Sequence, residues 1–190
     1  QTVRKGKTTY AAQFYTNNPD KYCDDAPVTG ANGLLYCNGT EGGTGPAGLD
    51  SLSKMKDAKT VMLQSASSAG FVFPSAALKA AGIDSTTDLD LTQVTSHPAA
   101  VLSVNNGDDE VGVSFWDARE TVVKDTPDVA KNLVVFALTN EIPNDGVSIS
   151  SSLSPDLQQR ISDAMEDYAS TPEGVDALTA IYQITGLDKA

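Results

Sequence analysis

The stretch Thr60-Val-Met-Leu-Gln-Ser-Ala-Ser-Ser-Ala-Gly-Phe-Val-Phe-Pro74 decides how this chain reads. Thr60 to Leu63 is short, apolar and bounded by polar residues, as a buried strand should be. After Pro74 a helix is predicted over about Ser75 to Ala81, stopping at Gly82, the residue type favoured just past a helix end. Between strand and helix lie Ser65, Ser67 and Ser68. Free N–H groups at a helix start carry about half a positive charge, and serine hydroxyls add donors. The segment therefore suits a small tetrahedral anion. It equally suits ordinary capping, because serine is a leading N-cap residue. The glycines and lysine of a GxxxxGK[ST] loop are absent, which disfavours a nucleotide.

Working outward, Thr95-Ser-His-Pro98 opens a helix that ends near Gly107, with Pro98 suited to its first turn. Glu110 to Phe115 alternates like a strand, and Asp117-Ala-Arg-Glu120 opens a further helix. Leu133 to Leu138 is a continuous apolar run, as expected of a buried parallel strand. Gly146 to Ser150 reads as one more strand. Ser154 and Pro155 start a helix whose stripe is Leu157, Ile161, Ala164, Met165 and Tyr168. Thr171-Pro-Glu starts a last helix carrying Val175, Leu178, Ile181 and Tyr182. On the other side, Leu49 to Lys56 is a short amphipathic helix, residues 17–48 are a long loop, and Thr8 to Thr16 is a strand. Strands alternating with helices predict an α/β fold, a parallel sheet flanked by helices. Ligands of such sheets bind at the carboxyl ends of the strands. Three polar segments fall there: 64–70, 116–117 and 139–145.

Formal net charge is −12 and the pI is about 4.3. That excludes a nucleic-acid partner, which needs a basic face. An anion site here must work through local dipoles. With 40% hydrophobic residues the chain can bury a core. No apolar run approaches the ~20 residues that span a bilayer. No signal peptide opens the sequence, so the expectation is a removed leader or a start inside a longer protein. There is one histidine and no CxxC or HExxH, so neither zinc nor another cofactor is expected. Cys23 and Cys37 bracket a polar loop. A disulfide between them would contribute roughly 3 kcal/mol in the chain-entropy model; two reduced thiols are the other reading.

Three further residues could carry chemistry. His97 sits at a predicted helix start, where it can donate to an oxyanion or simply lie at the surface. Asp117 can accept from a ligand's P–OH or ammonium group, or serve in a capping box with Glu120. Asp145 lies in Asn-Asp-Gly, which also suits a turn. Ser, His and Asp together raise a serine hydrolase, but there is no GxSxG elbow.

These segments in order resemble the phosphonate/phosphite-binding proteins of ABC transporters, type 2 periplasmic binding proteins. The similarity rests on Ala66-Ser67-Ser68-Ala69-Gly70-Phe71 with Pro74, His97 before Ala99-Ala100-Val101, Asn106-Gly107-Asp108, Asp117-Ala-Arg119, Ile142-Pro-Asn-Asp145 and Thr171-Pro-Glu-Gly174. It covers about residues 49–185. The resemblance implies two lobes joined by two crossover strands, with the first lobe incomplete. Residues 1–16 would be a crossover strand from the first lobe, 17–138 the second lobe with 17–48 as an insertion, and 139–190 the return crossover and C-terminal helices. It implies capture of phosphonate or phosphite for an ABC permease, with no catalysis. Ser67, Ser68, Ala69 and His97 would hold the phosphorus oxygens, and Asp117 and Asp145 the ligand's protonated group. Ala69 stands where the family often has a third serine. The protein would be extracytoplasmic, periplasmic or a surface lipoprotein, touching the membrane only through the transporter or a lipid anchor. Rivals are a binding protein for phosphate, sulfate or a thiamine precursor, and an interaction domain using the 17–48 loop.

Overall fold

The computed structural model describes residues 1–188, without the side chains of Ile181 and Tyr182. Those two positions of the expected apolar stripe lie outside the described residues. In chain order the strands are β1 (Thr2–Val3), β2 (Thr9–Tyr10), β3 (Ala12–Thr16), β4 (Val28–Thr29), β5 (Leu35–Tyr36), β6 (Lys59–Leu63), β7 (Asp90–Val94), β8 (Val111–Phe115), β9 (Val134–Leu138), β10 (Ile142–Pro143) and β11 (Gly186–Leu187). The α-helices are α1 (Pro19–Tyr22), α2 (Phe73–Ala80), α3 (His97–Asn106), α4 (Val129–Asn132), α5 (Pro155–Ser170) and α6 (Pro172–Tyr182). Two compact units result. One is Tyr10–Ile142; the other joins Gln1–Thr9 to Pro143–Ala190.

The larger unit is a seven-stranded sheet of order β4-β5-β9-β3-β8-β6-β7. Period-two alternation sends neighbouring residues of a strand to opposite faces. Val61 and Leu63 of β6, Tyr15 of β3 and Val135 of β9 pack with Ala100, Val101 and Val104 of α3. Met62, Phe14 and Phe136 point the other way, onto Leu78 of α2 and Leu52 and Met55 of a 3₁₀ segment, Leu49–Met55. Both faces are covered, which explains the apolar runs.

The α/β arrangement of a sheet flanked by helices is as expected, and the parallel β6, β7 and β8 sit within a mixed sheet. β6 pairs in parallel with β7 and β8, but β3 runs antiparallel to both β8 and β9. The segment read as a lobe-joining strand, 8–16, is divided: Ala12–Thr16 lies mid-sheet and fully buried, and the chain changes unit within β2 and again within β10. The 17–48 segment, read as a loop, carries regular structure. It contributes β4 and β5 to the sheet, and Leu34, Tyr36 and Cys37 to the core. Cys23 and Cys37 are disulfide-bonded, with Cα atoms 5.7 Å apart. Residues 146–150 form no strand. Edge strand β7, Asp-Leu-Thr-Gln-Val, escaped the reading because it has too few apolar residues.

In the smaller unit β1 pairs antiparallel with β11. Helices α5 and α6 are capped as expected, by Ser154 on the Leu157 amide and by Thr171 on the Gly174 amide. Only Ala169 of α5 is buried; Leu157 and Tyr168 are exposed.

Candidate functional site

Strand register places the candidate residues. Leu63 pairs with Val94 across β6–β7, and Val61 with Gly112 across β6–β8. The carboxyl ends of β6, β7 and β8 therefore share one edge of the sheet. Antiparallel β3 starts there, with Ala12 opposite Phe115, and β9 ends there, with Leu138 opposite Gln13. So Gln64–Gly70, Thr95–His97, Trp116–Asp117 and Thr139–Asn140 all emerge on one side.

The serine segment opens one turn of π-helix, Ser68–Val72, which runs into α2. Such turns occur disproportionately at functional sites. Ser67 is its N-cap: the hydroxyl oxygen accepts from the Gly70 amide at 3.0 Å, and the carbonyl accepts from the Phe71 and Val72 amides. A hydroxyl that accepts can still donate its proton outward. The amides of Ser68 and Ala69 are first in the turn and have no carbonyl within it to reach. Ser68 is exposed and Ala69 buried. A Cβ on Gly70 would fall 2.5 Å from the Leu63 Cβ, so glycine lets the turn lie directly against β6. Around Ala69 and Ala12 pack the partly buried rings of Tyr10, Phe73 and Phe115.

His97 begins α3, whose N-cap Ser96 accepts from the Ala99 amide. Its ring meets Phe115 edge to face, centroids 4.7 Å apart. Burial pushes the imidazole pKa down, which favours the neutral ring. Among the described residues His97 Nδ1 is buried without a hydrogen-bond partner, and so is the indole Nε1 of Trp116. Buried polar atoms of this kind normally have partners. Trp116 packs on the segment that follows Cys37: a Cβ on Gly43 would fall 2.4 Å from two indole atoms. The Trp116–Asp117 peptide bond is cis.

Asp117 is at this edge, but it is turned inward. Its carboxylate and the Arg119 side chain are both 0% exposed and meet at 2.6 Å. Arg119 donates to it through its amide, Nε and Nη2, Tyr36 through its hydroxyl at 2.7 Å, and Gln13 through Nε2 at 3.3 Å. Burial raises the Asp117 pKa, but the Arg119 hydrogen bonds and charge, helped by Tyr36, outweigh it and hold the carboxyl below the usual range. Arg119 Nη1 also donates to the carbonyls of Leu35 and Leu133, and the guanidinium lies 4.7 Å from the Tyr36 ring. Asp145 belongs to the smaller unit, where it pairs with Arg4 at 2.6 Å and is 74% exposed. The larger unit thus places Ser67, Ser68, Ala69 and His97 on loops at one sheet edge, with Phe115 packing on both Ala69's cluster and His97, and buries the Asp117 side chain at that edge.

Trp116, Tyr36 and Arg119 were missed as site residues. Trp116 stood next to Asp117 as the only tryptophan, which was a usable signal. Nothing in the sequence tied Tyr36 to Asp117, 81 positions away.

A sheet of this order with ligand-side loops at its carboxyl edge defines the class: a type 2 periplasmic-binding-protein-like α/β fold. The chain belongs to the family of ABC transporter phosphonate periplasmic substrate-binding proteins, whose model matches residues 1–190. Members are substrate-binding proteins, not enzymes, and a periplasmic family implies an extracytoplasmic location. No match was found among curated protein sequences. Solved structures share the fold. A binding-protein component of a Pseudomonas aeruginosa ABC phosphonate transporter matches with TM-score 0.65 and 19% identity, over 98% of this chain and 54% of its own. PhnD1 of Prochlorococcus marinus, in complex with methylphosphonate, gives 0.66 and 15%, over 100% and 64%. A Xanthomonas citri protein bound to ATP gives 0.70 and 16%, over 100% and 63%. This chain spans less than two thirds of the length of these relatives. No helix among the described residues is long and apolar enough to cross a membrane.

Proposed function

We propose that this chain supplies the ligand-holding lobe of an extracytoplasmic solute-binding protein that captures a phosphonate or phosphite and delivers it to an ABC permease. The observation that carries this is the convergence, at one sheet edge, of the π-turn serine segment and the α3 start with His97. In this reading the N–H and O–H donors of the two segments face one space, where a tetrahedral oxyanion would accept from both. Fixed local dipoles make such a site workable on a chain of net charge −12. In this reading Ser67 and Ser68 donate through hydroxyls, Ser68 and Ala69 through amides, and His97 through its ring. Asp117 holds the site from beneath and does not touch the ligand. Asp145 lies in the smaller unit, where Arg4 is its partner, and its carboxylate is kept as a proposed acceptor for a ligand's protonated group. The lobes would be joined by the segments around β2 and β10, and the permease would read the closed form. The Cys23–Cys37 disulfide supports an oxidising compartment. Placement free in the periplasm or on a lipid anchor belongs to the same proposal.

The test is calorimetric titration with phosphite, phosphate, sulfate and methylphosphonate. It is run on this chain and on a version lengthened at its N-terminus to the span of its relatives. Saturable binding of a phosphonate or phosphite, lost in Ser68→Pro, supports the assignment. Preference for sulfate or phosphate gives the site to another anion, and no binding in either form removes the proposal.

A further inference from the structure

Resting on that reading of the site, we infer that the glycine-rich segment Gly43-Thr-Gly45 forms a further wall of the ligand space, and that Glu141 is the positioning residue that latches it. β9, β3 and β8 are neighbours in the sheet. At the ligand-side edge β9 is followed by Thr139 and β8 by Trp116, and β3 is preceded by Ala11. The segment reaches all three. A Cβ on Gly45 would fall 1.8 Å from the Thr139 carbonyl oxygen and 3.4 Å from the Ala11 Cβ, and one on Gly43 would fall 2.4 Å from the Trp116 indole. Gly43-Thr-Gly45 therefore arches across the edge from β9 past β3 to β8, so close that only glycine fits at either end. The serine turn and the start of α3 follow β6 and β7, the next two strands in the same order. The proposed donors stand on one half of the edge and the arch on the other. Phe115, which packs with Ala69's cluster and meets the His97 ring, precedes Trp116 and joins the two halves.

The arch is anchored at both feet. The Thr40 hydroxyl lies 2.8 and 2.9 Å from the Cys37 and Val135 carbonyl oxygens, and the Thr40 carbonyl accepts from the Gly43 amide at 3.1 Å. Ala47 exchanges backbone hydrogen bonds with Leu138. Gly43 has a φ of 63°, a left-handed conformation that glycine takes without a Cβ penalty. Between the feet, the Gly45 amide donates to Glu141 Oε1 at 3.1 Å. A carboxylate acceptor makes this bond stronger than a neutral one would, and it ties the arch to the chain just beyond β9. A wall held in this way sets how near Trp116 and the arch's backbone stand to a bound anion.

The experiment titrates methylphosphonate into this chain and into the lengthened form, followed at the Gly43, Gly45, Ser68 and Ala69 amides by ¹H–¹⁵N spectra. Glu141→Ala removes the latch, and Glu141→Gln keeps an acceptor oxygen there without the charge. Urea midpoints of both variants are measured alongside. The expected result is that the Gly43 and Gly45 signals saturate with the same dissociation constant as those of Ser68 and Ala69. Glu141→Ala should weaken that constant about fivefold or more, with a urea midpoint close to the parent's, and Glu141→Gln should stay within about twofold of the parent. Gly43 and Gly45 signals that stay still while Ser68 and Ala69 move overturn the inference and leave the phosphonate assignment intact. Unchanged affinity in Glu141→Ala does the same. Equal weakening in both variants assigns the effect to charge and overturns the latch. Failure of methylphosphonate to bind in either form removes the assignment and the inference together.

Discussion

Arg119 Nη2 and Asp117 Oδ2 meet at 2.6 Å with neither side chain exposed to water. The pair is two residues apart in sequence, yet it clamps two distant pieces of chain. Tyr36 arrives from β5, and the Leu35 and Leu133 carbonyls are held by the same guanidinium. The pair therefore fastens the 17–48 segment to the ligand-side edge.

Removing one partner of a buried pair strands the other's charge. Arg119→Met should destabilise the larger unit by about 3–5 kcal/mol, read as a lower urea midpoint. The double variant Asp117→Leu with Arg119→Met should recover much of that loss, because no uncompensated charge remains. Equal losses in single and double variants would show that the Tyr36 and carbonyl contacts, not the charge, hold this corner.

The disulfide closes a loop with a sequence separation of 14. Cys23→Ser with Cys37→Ser should cost roughly 3 kcal/mol in thermal or urea unfolding. Gly43, a few residues beyond Cys37, lies against Trp116, so a loosening that spreads past the closed loop should also change the tryptophan fluorescence of the still-folded variant. A variant with unaltered emission would show that other contacts order the segment.

His97 gives a pH signature whose sign is fixed. Burial lowers its folded-state pKa, so the unfolded chain, titrating near ~6.5, takes up the proton first. Stability from this group is complete above the unfolded pKa and is lost as pH falls below it. Urea midpoints between about pH 7 and pH 5 should fall less in His97→Gln than in the parent chain. Parallel curves would mean that His97 ionises as freely folded as unfolded.

Much of this arrangement was legible because it is local. The strand at Thr60–Leu63, the serine turn, the Ser96–Pro98 helix start and the α5 and α6 caps each follow from residues within a few positions of one another. What was not legible depends on partners far away in sequence. β3 reads as a strand from its own residues, but its antiparallel placement between β8 and β9 is set by topology. Tyr36 lies in a segment dominated by turn formers, and its burial comes from pairing with Val135. Asp117 looked like a cap, and it does accept from the Arg119 amide. Its second use, as the counter-ion of that same arginine, needs the burial that only the assembled sheet provides.

In the proposed site the Ser67–Ala69 turn and His97 grip one phosphorus oxyanion between them. The most direct measurement is a methylphosphonate titration followed at the His97 imidazole and at the Ser68 and Ala69 amides by ¹H–¹⁵N spectra, on this chain and on the lengthened form. The account predicts that all three signals move together and saturate with one dissociation constant in at least one form, and that Ser67→Ala weakens that constant by about tenfold. Binding that leaves these three signals still while others shift, or no binding in either form, would contradict it.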